Sequence, residues 1–303
     1  MTKSRSLFLN LTIFALFIFV SAGSAFAQTL GYNHSYLITD SGQIHTVRSY
    51  TPAEGFIPLF SPNGFFILPE MIDVKQSSYF TDTDGTLYTV DRDGYLYSYN
   101  YESEIDSRMR HEGGSFFITR DRSLRIVLTN GVIKTIVEDD YELDSNIKVV
   151  GGNYLITRKN TVYIINPIAG TITKTGVEID KRDVEVQGDN YLVTKEGTLY
   201  SFGINVDGSV KIRSTSNRIF KNIKRKGGNF FFDSRNQIHT IAANGEFNNG
   251  SRSVGTDVRR SEVPLKFGAN YFVYADNSFF IVDELGIVRM IDTFNDVILL
   301  TTK

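Results

Sequence analysis

Short apolar runs, separated by Gly, Asn and Asp, alternate with polar positions along most of the chain. That spacing predicts β-strands, and outside the N-terminal stretch nothing shows the 3.6-residue period of a helix. One pattern recurs: a small residue, an aromatic and a further apolar residue. Its copies are Ser35-Tyr36-Leu37, Ser78-Tyr79-Phe80, Ser115-Phe116-Phe117, Asn153-Tyr154-Leu155, Asn190-Tyr191-Leu192, Asn229-Phe230-Phe231 and Asn270-Tyr271-Phe272. The steps between these anchors are 43, 37, 38, 37, 39 and 41 residues.

A second apolar landmark follows each anchor at a fixed offset of nine residues: Ile44, Leu87, Leu124, Val162, Leu199, Ile238 and Phe279. A fixed offset inside a variable period predicts one rigid hairpin per unit, with looser connections between units. Seven residues after the anchor stand Gly42, Gly85, Arg122, Asn160, Gly197, Asn236 and Asn277. All but Arg122 are residues that tolerate the positive φ of a tight hairpin turn.

A second turn follows at Asp93-Gly94, Asn130-Gly131, Pro167 to Gly170, Asp207-Gly208, Asn244-Gly245 and Leu285-Gly286. Beyond it a third strand is predicted, such as Thr171 to Val177. A fourth precedes the next anchor, as at Ile147 to Val150, Asp183 to Val186 and Ile223 to Lys226. Four short antiparallel strands per unit, at a period near 39 residues, are the content of a propeller blade.

The expected fold is therefore all-β: a seven-bladed β-propeller with four antiparallel strands per blade. Closure is expected from the N- and C-terminal strands sharing the last blade. Asn270 to Lys303 and Gln28 to His34 together would make a final step of 41 residues, within the range of the others. A ring needs such a latch because an open one leaves two unpaired edges.

The first 27 residues read as a signal peptide. Lys3 and Arg5 precede the apolar run Leu7 to Val20, and Ala25-Phe26-Ala27 is a small-x-small cleavage pattern. The run is short for a membrane span of roughly 20 residues, so no span is expected after cleavage. The domain organisation is then 1–27 signal peptide and 28–303 a single propeller, exported to the periplasm or secreted.

Cleavage leaves 30 basic and 34 acidic side chains, which gives no global attraction to nucleic acid or anionic membranes. The chain has no cysteine, which excludes disulfides, thiolate chemistry and cysteine–zinc sites. An exported protein of this kind must be held by burial and topology, for which 23 Phe and 16 Tyr are ample.

The run Gly31-x-x-His34-Ser35-x-Leu37-x-x-x-x-Gly42-x-Ile44 resembles the regulator of chromosome condensation repeat. So does Val186-x-Gly188-x-Asn190-Tyr191 through Gly197-x-Leu199-Tyr200-Ser201-Phe202-Gly203-x-Asn205. That resemblance implies a seven-bladed propeller. The units here are shorter than the family's, and the Trp expected before Gly-x-Asn is missing. The family's guanine-nucleotide exchange does not carry over, because no motif for it matches. The hairpin Asp84-Gly85-Thr86-Leu87-Tyr88-Thr89-Val90-Asp91 also resembles quinoprotein-type repeats, but without Trp or Cys a quinone cofactor is not implied.

Candidate chemistry is sparse. His45 and His239 share the context Gln-Ile-His-Thr, in a slot held elsewhere by Tyr88, Tyr163, Tyr200, Arg125 and Phe280. Planar side chains repeated at one slot point to packing between blades. His34 and His111 adjoin anchors and have no partner close in sequence. Asp82-Thr83-Asp84-Gly85 and Asp91-Arg92-Asp93-Gly94 fail the EF-hand spacing and read as turns. No nucleophile elbow, zincin or phosphate-loop motif occurs, and no catalytic residue, cofactor or metal site is expected.

Two charge blocks stand out. Lys211, Arg213, Arg218, Lys221, Lys224, Arg225 and Lys226 are uninterrupted by any acid, and Glu138, Asp139, Asp140, Glu142 and Asp144 form an acidic loop. Alternation along strands would put such charges on solvated edges. The functional reading is a basic patch for an anionic partner, whether an acidic protein face, an envelope component or a polysaccharide. Nucleic acid is disfavoured, since no aromatics interleave along the block.

Four prolines between the first two anchors, with Pro52-Ala53-Glu54-Gly55, suggest a protruding loop. The function expected is that of a monomeric, non-enzymatic binding scaffold. The alternative is a secreted glycan hydrolase or lyase with its active site in the central funnel.

Overall fold

The structure is a computed structural model. It describes residues 35–38, 44–47, 57–59, 67–91, 95–100, 109–136, 143, 146–205, 207–249, 264–276 and 278–293. Gly31–Lys303 forms one compact unit.

The fold is an all-β propeller whose blades are four-stranded antiparallel sheets, with strands in chain order across each blade. The first repeat forms a three-stranded sheet of β1 (Ser35–Ile38), β2 (Ile44–Val47) and β3 (Ile57–Leu59). The first complete blade is β4 (Ile72–Lys75), β5 (Tyr79–Asp82), β6 (Thr86–Val90) and β7 (Leu96–Asn100). The second is β8 (Met109–Glu112), β9 (Phe116–Thr119), β10 (Leu124–Val127) and β11 (Ile133–Ile136).

The third blade is β12 (Ile147–Val150), β13 (Tyr154–Thr157), β14 (Thr161–Asn166) and β15 (Thr171–Glu178). The fourth is β16 (Val184–Gln187), β17 (Tyr191–Thr194), β18 (Thr198–Ile204) and β19 (Val210–Ser216). The fifth is β20 (Arg225–Lys226), β21 (Phe230–Phe232), β22 (Ile238–Ile241) and β23 (Phe247–Asn249). The sixth is β24 (Lys266–Phe267), β25 (Tyr271–Val273), β26 (Ser278–Val282) and β27 (Val288–Thr293).

The described residues thus form six blades, where the repeat count predicts seven. The first repeat begins at its anchor strand, and the strand that precedes the anchor in every other unit is not among the described residues. Among the described residues the last blade takes its four strands from 266–293. Gln28 to His34, the signal segment, the acidic block from Glu138 to Asp144 and Pro52 to Gly55 lie outside the described residues, save Leu143.

The fixed offset of the hairpin has a register cause. In every complete blade the anchor aromatic pairs with the residue ten positions on: Tyr79↔Thr89, Phe116↔Ile126, Tyr154↔Ile164, Tyr191↔Ser201, Phe230↔Thr240 and Tyr271↔Ile281. The turn between these strands needs one residue in the left-handed region. Gly85 (φ 80°), Asn160 (φ 69°), Gly197 (φ 85°) and Asn236 (φ 57°) fill it as predicted. Arg122, the misfit of the pattern, adopts φ 66° as well. The register therefore overrides the roughly 1–2 kcal/mol such a conformation costs an ordinary side chain.

Blades are joined by two repeating contacts. The buried anchor phenol of one blade donates to the main-chain carbonyl of the next anchor: Tyr79 to Phe116 at 3.1 Å, Tyr154 to Tyr191 at 3.0 Å and Tyr191 to Phe230 at 3.0 Å. Nearer the axis, the amide just before the anchor donates to the neighbouring blade. Ser78 reaches Gly114 O at 2.9 Å, Ser115 reaches Gly152 O at 3.0 Å, Asn153 reaches Asp189 O at 3.0 Å and Asn229 reaches Ala269 O at 3.0 Å. Apolar clusters fill the space between, as where Tyr154, Ile156 and Ile164 of one blade meet Leu192, Phe202 and Ile204 of the next. Burial, not disulfides, holds the blades together.

Candidate functional site

The basic residues singled out in the sequence do not share one element. Lys211 and Arg213 lie on β19, opposite Gly203 and Ser201 of β18, at the outer edge of the fourth blade. Arg218 and Lys221 sit in a 3-10 turn, Arg218–Asn222, that leads into the fifth blade. Lys224 precedes β20, and Arg225 and Lys226 are β20, the innermost strand of that blade. The block therefore runs from the outer edge to the axis, and Lys226 alone of the seven lines the central cavity.

That cavity is the axial channel. It has a volume of about 570 Å³ and is walled by the first strand of each of the six blades and the residues that follow it. Strand alternation sends every second residue toward the lumen. Four residues before the anchor aromatics, the lining row is Lys75, Glu112, Val150, Gln187, Lys226 and Phe267. Two residues before them it is Ser77, Gly114, Gly152, Asp189, Gly228 and Ala269.

Between these rows five blades carry glycine, because the anchor ring lies against it. A Cβ on Gly151 would sit 2.0 Å from the Tyr154 ring. Register shifts at Ile72/Val74, Met109/His111, Ile147/Val149 and Val184/Val186 place a bulge on the inner strand of four blades, where such bulges re-aim side chains. The extra residues, Asp73, Arg110, Lys148 and Glu185, are charged and exposed.

In the narrower row Asp189 alone carries a long polar side chain, and its neighbours make room for it. A Cβ on Gly228 would lie 2.2 Å from Asp189 Oδ2, and one on Gly152 2.4 Å from its Cβ. From another blade, Ser77 Oγ donates to Asp189 Oδ2 at 2.5 Å, linking residues 112 positions apart. Desolvation within the channel wall raises the Asp189 carboxyl above its ordinary value, although the Ser77 bond and the Lys226 charge oppose it. Asp189 still keeps part of its surface open to the lumen.

Desolvation likewise lowers Lys226 despite the nearby acid, and its ammonium donates to Gln187 O at 2.5 Å. For both groups burial outweighs their mutual attraction. Lys75 is lowered to about 8 by burial alone. Gln76 Nε2 approaches Glu112 Oε2 at 3.4 Å. The channel thus offers two cationic donors, a carboxyl biased toward its acid form, a hydroxyl and amide groups.

The other candidates are spent on structure. His239 is fully buried, stacked on Phe231 at 5.1 Å and Phe247 at 5.9 Å, with Nε2 3.3 Å from Asp233 Oδ2. Its carboxylate partner lies six residues upstream, as Asp82 does for the Tyr88 hydroxyl at 3.1 Å. Burial pushes Asp233 up, but the Gln237 and Arg235 amides and His239 together take it below its usual value. His111 is lowered by burial and by Arg110 and Lys148. His34 and the His45 side chain lie outside the described residues.

Asp82 Oδ1 accepts the Asp84 and Thr86 amides at 3.1 and 2.8 Å, and Asp91 Oδ1 accepts that of Tyr95 at 2.7 Å. Turn geometry accounts for both motifs. Among the described residues no group of three or more His, Asp or Glu is placed to hold a metal ion, and no helix is long and apolar enough to cross a membrane.

Asp189 and Lys75 escaped the sequence reading. The one available signal was that Asp189 is an acid in a slot occupied by Ser, Gly or Ala in the other blades. Comparison with models of known protein families gives no match, and comparison with curated proteins gives none.

Proposed function

We propose that this is an exported, non-enzymatic propeller that works as a binding module, with its axial channel as the ligand site. The observation carrying this reading is the convergence of Lys75, Lys226, Ser77 and Asp189, from three blades, on one lumen of about 570 Å³. Pockets of 300–1,000 Å³ with a few convergent polar groups are the usual form of small-molecule sites. The basic residues from Lys211 to Arg225 remain a second surface for an anionic envelope partner.

The same proposal makes β1–β3 a seventh sector, related to the regulator of chromosome condensation type of repeat. Tyr36 Oη donates to Tyr79 O at 3.0 Å, repeating the contact between complete blades, and Tyr271 of the last blade is close enough to help raise the Tyr36 phenol, after burial.

Native mass spectrometry of chain 28–303, incubated with small-molecule extract of the cell envelope, tests the site. Wild type is expected to retain a ligand. Lys75→Trp, which fills the lumen from β4, is expected to lose it with the β-sheet circular dichroism unchanged. Equal retention by both would place the ligand elsewhere.

A second reading, a glycan hydrolase or lyase, is favoured by the raised Asp189 carboxyl sharing the lumen with Glu112. It requires glycan cleavage that is lost in both Asp189→Asn and Glu112→Gln.

A further inference from the structure

The wall of the cavity carries two ammonium groups, Lys75 and Lys226, beside the carboxyl groups of Glu112 and Asp189. Low-dielectric walls strengthen the pull of such ammonium groups on a small anion.

Both ammonium groups belong to the wall of the one cavity. Lys75 and Lys226 occupy the same register position, on β4 and β20, with the inner strands of three blades between them. Lys226 has given one N–H to Gln187 O and has two more to offer. The remaining polar wall suits hydroxyls. Glu112 supplies carboxylate acceptors, the Gln187 amide both donates and accepts, and Asp189 can do either according to protonation. Phe267, in the same row, adds an apolar surface. The volume fits a ligand of one or two rings.

We propose that the axial channel binds a small sugar acid, its carboxylate held by Lys75 and Lys226 and its hydroxyls by Asp189, Glu112 and Gln187. This rests on the channel being the ligand site.

The test is calorimetric titration of chain 28–303 near neutral pH, below the Lys75 midpoint of about 8, with D-glucuronate and with D-glucose as its uncharged counterpart. Glucuronate is expected to bind at least about tenfold more tightly than glucose. Lys75→Met and Lys226→Met are each expected to weaken it by about tenfold or more, the loss of a charge-assisted hydrogen bond. Lys75→Arg, which keeps the charge, is expected to retain most of the affinity and guards against a folding defect in the Met variant.

Equal binding of the two sugars, or glucuronate binding indifferent to both Met changes, overturns the proposal. If neither sugar binds while wild type still retains an extract ligand that Lys75→Trp loses, the sugar-acid assignment fails and the channel reading stands. If Lys75→Trp retains that ligand as well, both fall.

Discussion

The buried charges of the channel make opposite contributions to stability as pH changes. Lys75 is lowered to about 8 from 10.5, so between those values the unfolded chain binds more protons than the folded one. Stability is then expected to rise with pH across that window. In Lys75→Met the rise is expected to shrink to the part that the similarly lowered Lys226 contributes, as urea midpoints measured at several pH values would show. Asp189 has the reverse sign. Its folded carboxyl is raised above 3.8, so the folded state holds the extra proton and stability falls as pH climbs through the shifted value. Asp189→Asn should flatten that slope and leave the protein more stable at neutral pH. Ser77→Ala removes the one donor bonded to a desolvated carboxyl and is expected to cost about 1–3 kcal/mol.

Within the blade, the hairpin register dictates local conformation, and single substitutions can read its grip. Arg122 sits at φ 66° in a turn where glycine is at no disadvantage. Arg122→Gly is expected to stabilise by about 1 kcal/mol, seen as a higher midpoint in thermal unfolding. Between blades, Tyr154→Phe deletes the bond to Tyr191 O, and Tyr191→Phe deletes the bonds of one hydroxyl to Phe230 O and Gly227 O, each keeping the ring. Each is expected to cost about 1 kcal/mol.

These elements were legible in the sequence because their causes are local. The pairing of Tyr154 with Ile164 and the positive φ of Asn160 are set within one hairpin, so the invariant spacing and the turn residues foretold them. The strand before the anchor was also legible: Ile147 to Val150 is found as predicted, and Asp183 to Val186 is displaced by one residue, to Val184–Gln187. The site was not legible. Ser77 and Asp189 meet only because blades wind about an axis, and spacing within a unit says nothing of which side chains face each other across it. The placement of the basic run was hidden for the same reason. Adjacent in sequence, its members are spread from β19 to β20 once the chain steps from one blade to the next.

For the molecule, the repeat count and the blade count differ because a repeat becomes a blade only when four strands pair. The first repeat has the anchor Tyr36 and the landmark Ile44, both buried, and three paired strands among the described residues. The account's central claim is that the inner strands of successive blades enclose one lumen, across which Ser77 and Asp189 touch. The chain has no cysteine of its own, so Ser77→Cys with Asp189→Cys can be probed cleanly with dibromobimane, which fluoresces when it bridges two neighbouring thiols. Bridging is expected in the double variant, with fluorescence and a mobility shift from the closed loop, and in neither single variant. Both single variants labelling freely while the double variant fails to bridge would contradict the shared channel.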